Sequence, residues 1–115
     1  MDLQTLLQQY IEACHIYASG LEHGDDYNIV NKAYAVIIKN IGILMSSKEG
    51  IALAKAQLYN EDVYVATMTA SLLIFDYKRD CKKVLKSVIK NKGVFAFSME
   101  FFYKEWKKGN MKKMY

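Results

Sequence analysis

Few residues in this 115-residue chain are of the types that support catalysis or metal binding. Cys14, His15 and His23 are the nearest approach to a set of metal ligands. Cys14, however, falls on the apolar side of a helical pattern and His15 on the polar side, so the two side chains should point apart. A nucleophilic cysteine needs a neighbouring base and an electropositive pocket. Because Cys14 and Cys81 both fall on apolar stripes, we predict two inert, reduced core thiols.

No motif for catalysis or cofactor binding is present in the sequence. The chain has no glycine-rich phosphate loop, no His-Glu-x-x-His, no Cys-x-x-Cys and no nucleophile elbow. Asp25 and Asp26 form a carboxylate pair, yet two acids just before a helical segment are explained by helix capping. The sequence therefore predicts a protein that is not an enzyme and that uses neither a metal nor a cofactor.

Charge is distributed unevenly along the chain, although the formal net charge is only +4. Residues 1–31 contain five acidic residues and no Lys or Arg, whereas residues 76–115 contain twelve basic residues against four acidic ones. Such polarity is a clue to the partners of a protein. It also permits head-to-tail self-association, so we expect a monomer or a weak homo-oligomer.

Composition indicates one folded domain that does not enter a membrane. The chain is 52% hydrophobic and 13% aromatic, which excludes disorder, and its length suits a single domain. The longest uncharged apolar stretch, residues 63–75, is too short for a span of about 20 residues, and no secretory signal opens the sequence. With two widely separated cysteines, these features favour a cytoplasmic protein, and frequent Lys, Tyr, Ile and Asn suggest a bacterial source.

Hydrophobic periodicity predicts an all-α fold of about six helices. Apolar residues recur at steps of three and four throughout, and the absence of proline permits nearly continuous helix. We predict a helical hairpin over residues 1–46, helix pairs over 47–75 and 77–109, and a frayed tail over 110–115. The fourth helix, predicted over about 61–75, is apolar nearly all round and should therefore be central.

Polar residues between the apolar stripes mark where the helices should begin. Asp25 and Asp26 are expected to supply the N-cap and first-turn charge of the second helix. Ser46 has capping-box spacing to Glu49, which favours it as the start of the third helix. Asn60 lies in the turn before the fourth helix and is its expected cap.

A weak internal repeat relates residues 53–75 to residues 84–106 by a shift of 31 positions. The shift places Leu58 on Ile89, Asn60 on Asn91, Val63 on Val94, Met68 on Met99 and Phe75 on Trp106. Solenoids of helix pairs have repeats of about 30–47 residues. The pattern therefore predicts a short, HEAT-like, right-handed stack of helix pairs.

Two surface features are candidates for binding a partner. Tyr59 and Tyr64 flank the turn of the central pair and are candidate exposed aromatics of a protein interface. The fifth helix presents an outward row of lysines, which is either a solvated face or a site for nucleic-acid phosphates. These are Lys82, Lys83, Lys86 and Lys90. Arg79 is the only arginine, which disfavours recognition that depends on guanidinium groups.

Two stretches resemble a family of small bacterial domains of unknown function whose fold is similar to HEAT or armadillo repeats. The first is residues 93–100, Gly-Val-Phe-Ala-Phe-Ser-Met-Glu, followed by Lys-Glu-Trp-Lys-Lys-Gly at 104–109. The second is the turn at residues 58–62, which is followed by Val63, Ala66 and Ala70, as in the central repeat of that family.

The resemblance implies an immunity protein. Members of the family are often encoded beside polymorphic or contact-dependent toxins and are suspected to neutralise them by stoichiometric binding. Nuclease toxins have basic active sites, so the acidic residues of this chain are the first candidates for contact. The candidate partner-binding residues are Glu12, Glu22, Asp25, Asp26, Tyr59, Glu61, Asp62 and Tyr64. The alternatives are a nucleic-acid-binding module that uses the basic C-terminal third, and a structural or self-associating scaffold.

Overall fold

Six α-helices make up most of the chain in a computed structural model that describes residues 1–115. The helices are α1 (Leu3–His23), α2 (Tyr27–Leu44), α3 (Lys48–Ala56), α4 (Val63–Leu73), α5 (Lys78–Ile89) and α6 (Val94–Lys107). A 3₁₀ turn, Gln57–Tyr59, follows α3, and there are no strands. The predicted all-α class with six helices is confirmed. None of the helices combines the length and the hydropathy that a membrane span requires.

Helix α4 is the central element, as its sequence pattern predicts. Every residue from Val65 to Ile74 is buried, and the helix packs against α1, α5 and α6. Its polar side chains are satisfied locally, since the hydroxyls of Thr67 and Thr69 donate to carbonyl oxygens one turn earlier in the same helix. Because the Thr69 proton is used in this way, the buried Tyr10 hydroxyl of α1 is the donor in its 2.8 Å hydrogen bond to Thr69. This bond ties α1 to α4.

Helix α1 also packs against α6, so the first and last helices are in contact. The most extensive contacts are between α1 and α2, and the next most extensive between α4 and α5. This arrangement is more closed than a solenoid in which each helix pair touches only its neighbours. The radius of gyration, 13.2 Å, is that of a rounded body of this length.

Two of the predicted caps are displaced along the chain. Ser47, not Ser46, caps α3 by accepting from the Gly50 amide at 3.1 Å, because the Ser46 hydroxyl donates back to the Ile43 carbonyl at the end of α2. Asp62, not Asn60, caps α4 by accepting from the Tyr64 amide at 2.9 Å. Asn60 instead stabilises the turn before this cap, because its side-chain oxygen accepts from the Asp62 amide. In both turns the extended residue directly before the helix is the cap.

The prediction of a frayed tail over residues 110–115 is wrong. The Tyr115 hydroxyl donates to Asp76 at 3.1 Å, and the Lys113 ammonium lies 2.8 Å from the same carboxylate. The Tyr115 ring packs against the hydrophobic core. Although the tail has no regular secondary structure, its apolar and aromatic side chains bury surface against the helices, and this holds the tail in place.

Candidate partner-binding site

An open groove of about 460 Å³ runs between the outer faces of α1 and α2. We call it the α1–α2 groove. Its lining residues are Gln9, Glu12, Ala13 and Ile16 of α1 and Ile29, Lys32, Ala33 and Val36 of α2. Ala13 and Ala33 are buried at the helix contact, and their small side chains leave the depression between the helices unfilled.

Three branched apolar side chains line this groove without being covered. Ile16, Ile29 and Val36 are 36%, 53% and 37% exposed. Single exposed apolar residues are common on protein surfaces, but a contiguous concave group marks an interaction site. The α1–α2 groove is therefore the strongest candidate site for a partner.

The acidic residues nearest the groove are exposed to solvent. Glu12 is exposed on the α1 wall, and Asp25 and Asp26 are exposed in the turn that joins α1 to α2. One Asp26 oxygen accepts from the Asn28 amide at 2.7 Å, which confirms Asp26 as the cap of α2. Ile29, a groove residue, lies only about one helical turn after this cap. The acidic turn therefore lies at one end of the groove.

Glu22, also predicted to bind a partner, is used inside the fold. Its carboxylate accepts from the backbone amides of Val94 at 3.0 Å and Phe95 at 3.4 Å. Helix α6 has no side-chain cap of its own, since Gly93 precedes it. The carboxylate replaces that cap and places a negative charge at the positive end of the helix dipole.

The remaining predicted residues lie at the turn before α4. Two of them are available at the surface, and two are used within the fold. Tyr59, which is 75% exposed, and Glu61 are available at the surface. Asp62 caps α4, and its second oxygen lies 2.6 Å from His15 Nδ1. Tyr64 is half-buried, because its ring packs between His15 at 5.6 Å and Phe95 at 5.3 Å between centroids. The prediction of Tyr64 as an exposed aromatic is therefore wrong.

Burial determines the chemistry of both cysteines. Cys14 and Cys81 are completely buried free thiols, and Cys14 and His15 lie on different sides of α1 as the periodicity predicts. Loss of hydration disfavours the thiolate and raises the pKa of each thiol to about 12. Both thiols are protonated at neutral pH, so neither can act as a nucleophile there.

A second, basic groove of about 440 Å³ lies between α5 and α6. Lys86 and Lys90 of the predicted lysine row line it together with Lys104 and Lys107 of α6, which sequence reasoning missed. The i,i+3 spacing of these last two lysines was visible in the sequence, but their approach to α5 depends on tertiary packing. Of the other two residues of the row, Lys83 is exposed and Lys82 is half-buried, with its ammonium 5.6 Å from the centre of the Trp106 ring.

Sequence reasoning also missed two exposed phenylalanines on α6. Phe97 and Phe101 are 72% and 62% exposed and lie one helical turn apart. The core stripe of α6, which contains Phe95 and Met99, is on the other side of the helix. Phe97 and Phe101 do not belong to the three- and four-residue spacing of that stripe. This departure was the signal in the sequence that could have identified them as exposed.

Comparison with known proteins finds no relative of this chain. No family model matches the sequence, and neither the curated proteins nor the solved structures contain a match.

Proposed function

We propose that this chain is a non-catalytic protein-binding module that acts in the bacterial cytoplasm as an immunity protein, neutralising a toxin domain by direct binding. The observation that carries the binding proposal is the α1–α2 groove, with three exposed apolar side chains beside an acidic turn. The choice of a toxin as the partner depends on the family resemblance of residues 93–109 and 58–70.

The apolar part of the groove would supply most of the binding free energy. Ile16, Ile29 and Val36 are already held on two packed helices, so binding would cost little ordering of the backbone. Burying apolar surface contributes roughly 25 cal/mol per Å², and a concave site excludes water from the contact. A matching partner presents a ridge of apolar side chains, such as one face of a helix.

The charges around the groove would select a partner that carries basic residues near that ridge. Glu12, Asp25 and Asp26 form no ion pair within the chain, and no Lys or Arg precedes Lys32. Complementary charge accelerates association and disfavours acidic competitors. A nuclease toxin fits this description, since its active site must attract the phosphates of its nucleic-acid substrate.

Growth rescue tests the proposal directly. The C-terminal domain encoded by the neighbouring upstream gene is expressed in a bacterial host with and without this chain. We expect rescue of growth and a co-purifying one-to-one complex. If the domain is toxic and this chain neither rescues growth nor binds the domain, the immunity proposal for that pair is wrong.

Substitutions in the groove test the binding surface. Ile29→Asp should abolish rescue and weaken the complex at least about tenfold, since a buried unpaired carboxylate costs more than 1.4 kcal/mol. Ile43→Asp is the matched control, because Ile43 is a similarly exposed residue of α2 outside the groove. Equal losses in both variants would show that the groove is not the contact surface.

The basic groove between α5 and α6 supports a second candidate, binding of nucleic acid. The observation in its favour is the convergence of Lys86, Lys90, Lys104 and Lys107 from two helices, although Lys104 is paired with Glu100 at 2.9 Å. Phosphate binding would weaken steeply with salt, and Lys86→Glu with Lys90→Glu would abolish it. The same pair of substitutions should leave toxin rescue intact, whereas Glu12→Lys with Asp25→Lys, which keeps the Asp26 cap of α2, should slow toxin capture only.

A further inference from the structure

A more enclosed cavity of about 340 Å³ lies where α1, α2, α4 and α6 meet the C-terminal segment. Its walls are mainly apolar and include Tyr17, Tyr34, Leu72, Met99 and Phe102. Tyr17 and Tyr34 pack against each other with 5.3 Å between ring centroids. The volume is within the range of small-molecule sites, which are about 300–1,000 Å³.

The C-terminal segment, residues 110–115, covers this cavity. Met111, Lys112 and Met114 line it, while Lys113 and Tyr115 hold the segment to Asp76. Methionine side chains are flexible and polarisable, and they adapt to apolar guests of different shapes. The covering segment therefore supplies an adjustable wall, which is attached to the helices by the packing of the Tyr115 ring and by the exposed Asp76 carboxylate.

Lys112 is the only charged residue that lines the cavity, and it has no ion-pair partner in the fold. The buried hydroxyl of Ser71, another lining residue, already donates to the Met68 carbonyl at 2.7 Å. The site thus offers an apolar enclosure and one unpaired cation at its covered end. No carboxylate lines the cavity to compete for that cation.

We infer that this cavity binds a small amphiphile with an aliphatic body and a single carboxylate, of the class of medium-chain fatty acids. The aliphatic chain lies among the aromatic and methionine side chains, where it replaces apolar contact with water. The carboxylate lies at Lys112, at the edge of the site, where it stays partly hydrated. This site is separate from the α1–α2 groove, and its assignment does not depend on the proposed immunity function.

Decanoate is a suitable probe, and 1-decanol is its uncharged counterpart. Titration of the full chain by calorimetry, below the micellar concentration of the probe, should give saturable one-to-one binding of both. Nuclear Overhauser contacts from the decanoate chain should reach the methyl groups of Met111 and Met114. The absence of saturable binding for both probes, or contacts confined to other residues, would overturn the inference without bearing on toxin rescue.

Two variants separate the apolar part of the site from its charge. Ser98→Phe places a ring in the cavity and should lower the affinity for both probes about tenfold or more, whereas Ser87→Phe, on the exposed face of α5, should not. Lys112→Gln should weaken decanoate binding up to about fivefold, as expected for an exposed ion pair, and leave 1-decanol unchanged. Equal effects of Lys112→Gln on both probes would contradict the carboxylate assignment. The contacts of decanoate in the unaltered chain test the site even if Ser98→Phe fails to fold.

Discussion

At the scale of single residues, the two cysteine thiols lie in the packed interior, where a thiolate would lose its hydration. Their pKa of about 12 means that almost no thiolate forms at pH 8. We expect both thiols of the native protein to react with Ellman's reagent only as fast as the protein unfolds. In denaturant, both should react at once. Rapid modification of one thiol under native conditions would contradict this prediction.

The same pKa shifts predict a loss of stability in alkali. An unfolded thiol titrates near the ordinary value of 9, whereas the folded thiols titrate near 12. The contribution of the neutral thiols to stability is therefore complete below pH 9 and is lost as the pH rises from 9 to 12. Urea denaturation of the native chain and of a Cys14→Ala, Cys81→Ala variant should show a steeper alkaline decline for the native chain.

Residue-level prediction from sequence succeeded where the environment of a side chain is set by its own helix. The positions of Cys14 and His15 on different faces of α1 followed from periodicity alone. It failed to anticipate that Glu22 and Asp62 are used within the fold, because their partners Val94 and His15 are 72 and 47 residues away. An acid that caps a distant helix and an acid that awaits a partner look the same in a sequence.

At the scale of elements, the start of α6 depends on close contact between Gly93 and the Glu22 carboxylate. Gly93 has φ of +130°, and a Cβ atom there would lie 2.7 Å from a Glu22 oxygen. Gly93→Ala should therefore destabilise the protein by about 1–3 kcal/mol, through backbone strain and loss of the cap. Glu22→Gln keeps an acceptor but removes the charge, so it should cost about 0.3–1 kcal/mol.

Urea denaturation of these variants measures both effects. Glu12→Gln is the matched control, because Glu12 is an exposed acid of the same helix without a hydrogen-bond partner. Its free energy of unfolding should be unchanged. If Glu22→Gln and Glu12→Gln behaved alike, the carboxylate would not be capping α6.

Attachment of the C-terminal segment should depend on pH through Asp76. The hydrogen bond with Lys113 is the main cause that lowers the pKa of this carboxyl below its ordinary value of 3.8. A lowered folded pKa means that the contribution of this carboxylate to the attachment is complete above the ordinary value and is lost as the pH falls through the folded pKa. NMR signals of Tyr115 and Met114 should shift part of the way toward disordered positions in acid, and Asp76→Asn should produce a similar partial shift at neutral pH. Asp25→Asn, in the distant α1–α2 turn, should leave these signals unchanged.

The helices themselves were predictable because an amphipathic repeat specifies both a helix and the face that it buries. The caps of α3 and α4 were each misplaced by one or two residues, since neighbouring Ser46 and Ser47, or Asn60 and Asp62, have the same capping chemistry. The tail was misjudged for a different reason. Its attachment depends on tertiary contacts of Tyr115 with the core and with Asp76, which no local pattern in the sequence connects.

At the scale of the whole molecule, contact between α1 and α6 joins the acidic end of the chain to the basic end. In an extended solenoid, terminal helices can unfold separately, because each pair touches only its neighbours. Here α6 is held by α1, α4 and α5, so we expect one cooperative transition. Fluorescence of Trp106, the only tryptophan, should change at the same urea concentration as the helical circular dichroism. An earlier change in fluorescence would show that α6 unfolds alone.

The bond between Glu22 and the start of α6 has a consequence for biosynthesis. At about 5–20 residues per second, the ribosome needs roughly 4–14 s to add the 72 residues that separate Glu22 from Val94. The inner face of α1, with Tyr10 and Cys14, also remains uncovered until α4 has been synthesised. The nascent α1–α2 hairpin therefore exposes apolar surface for seconds, and exposed surface of this kind makes partly folded chains prone to aggregation. Folding can be completed only after α6 has left the ribosome.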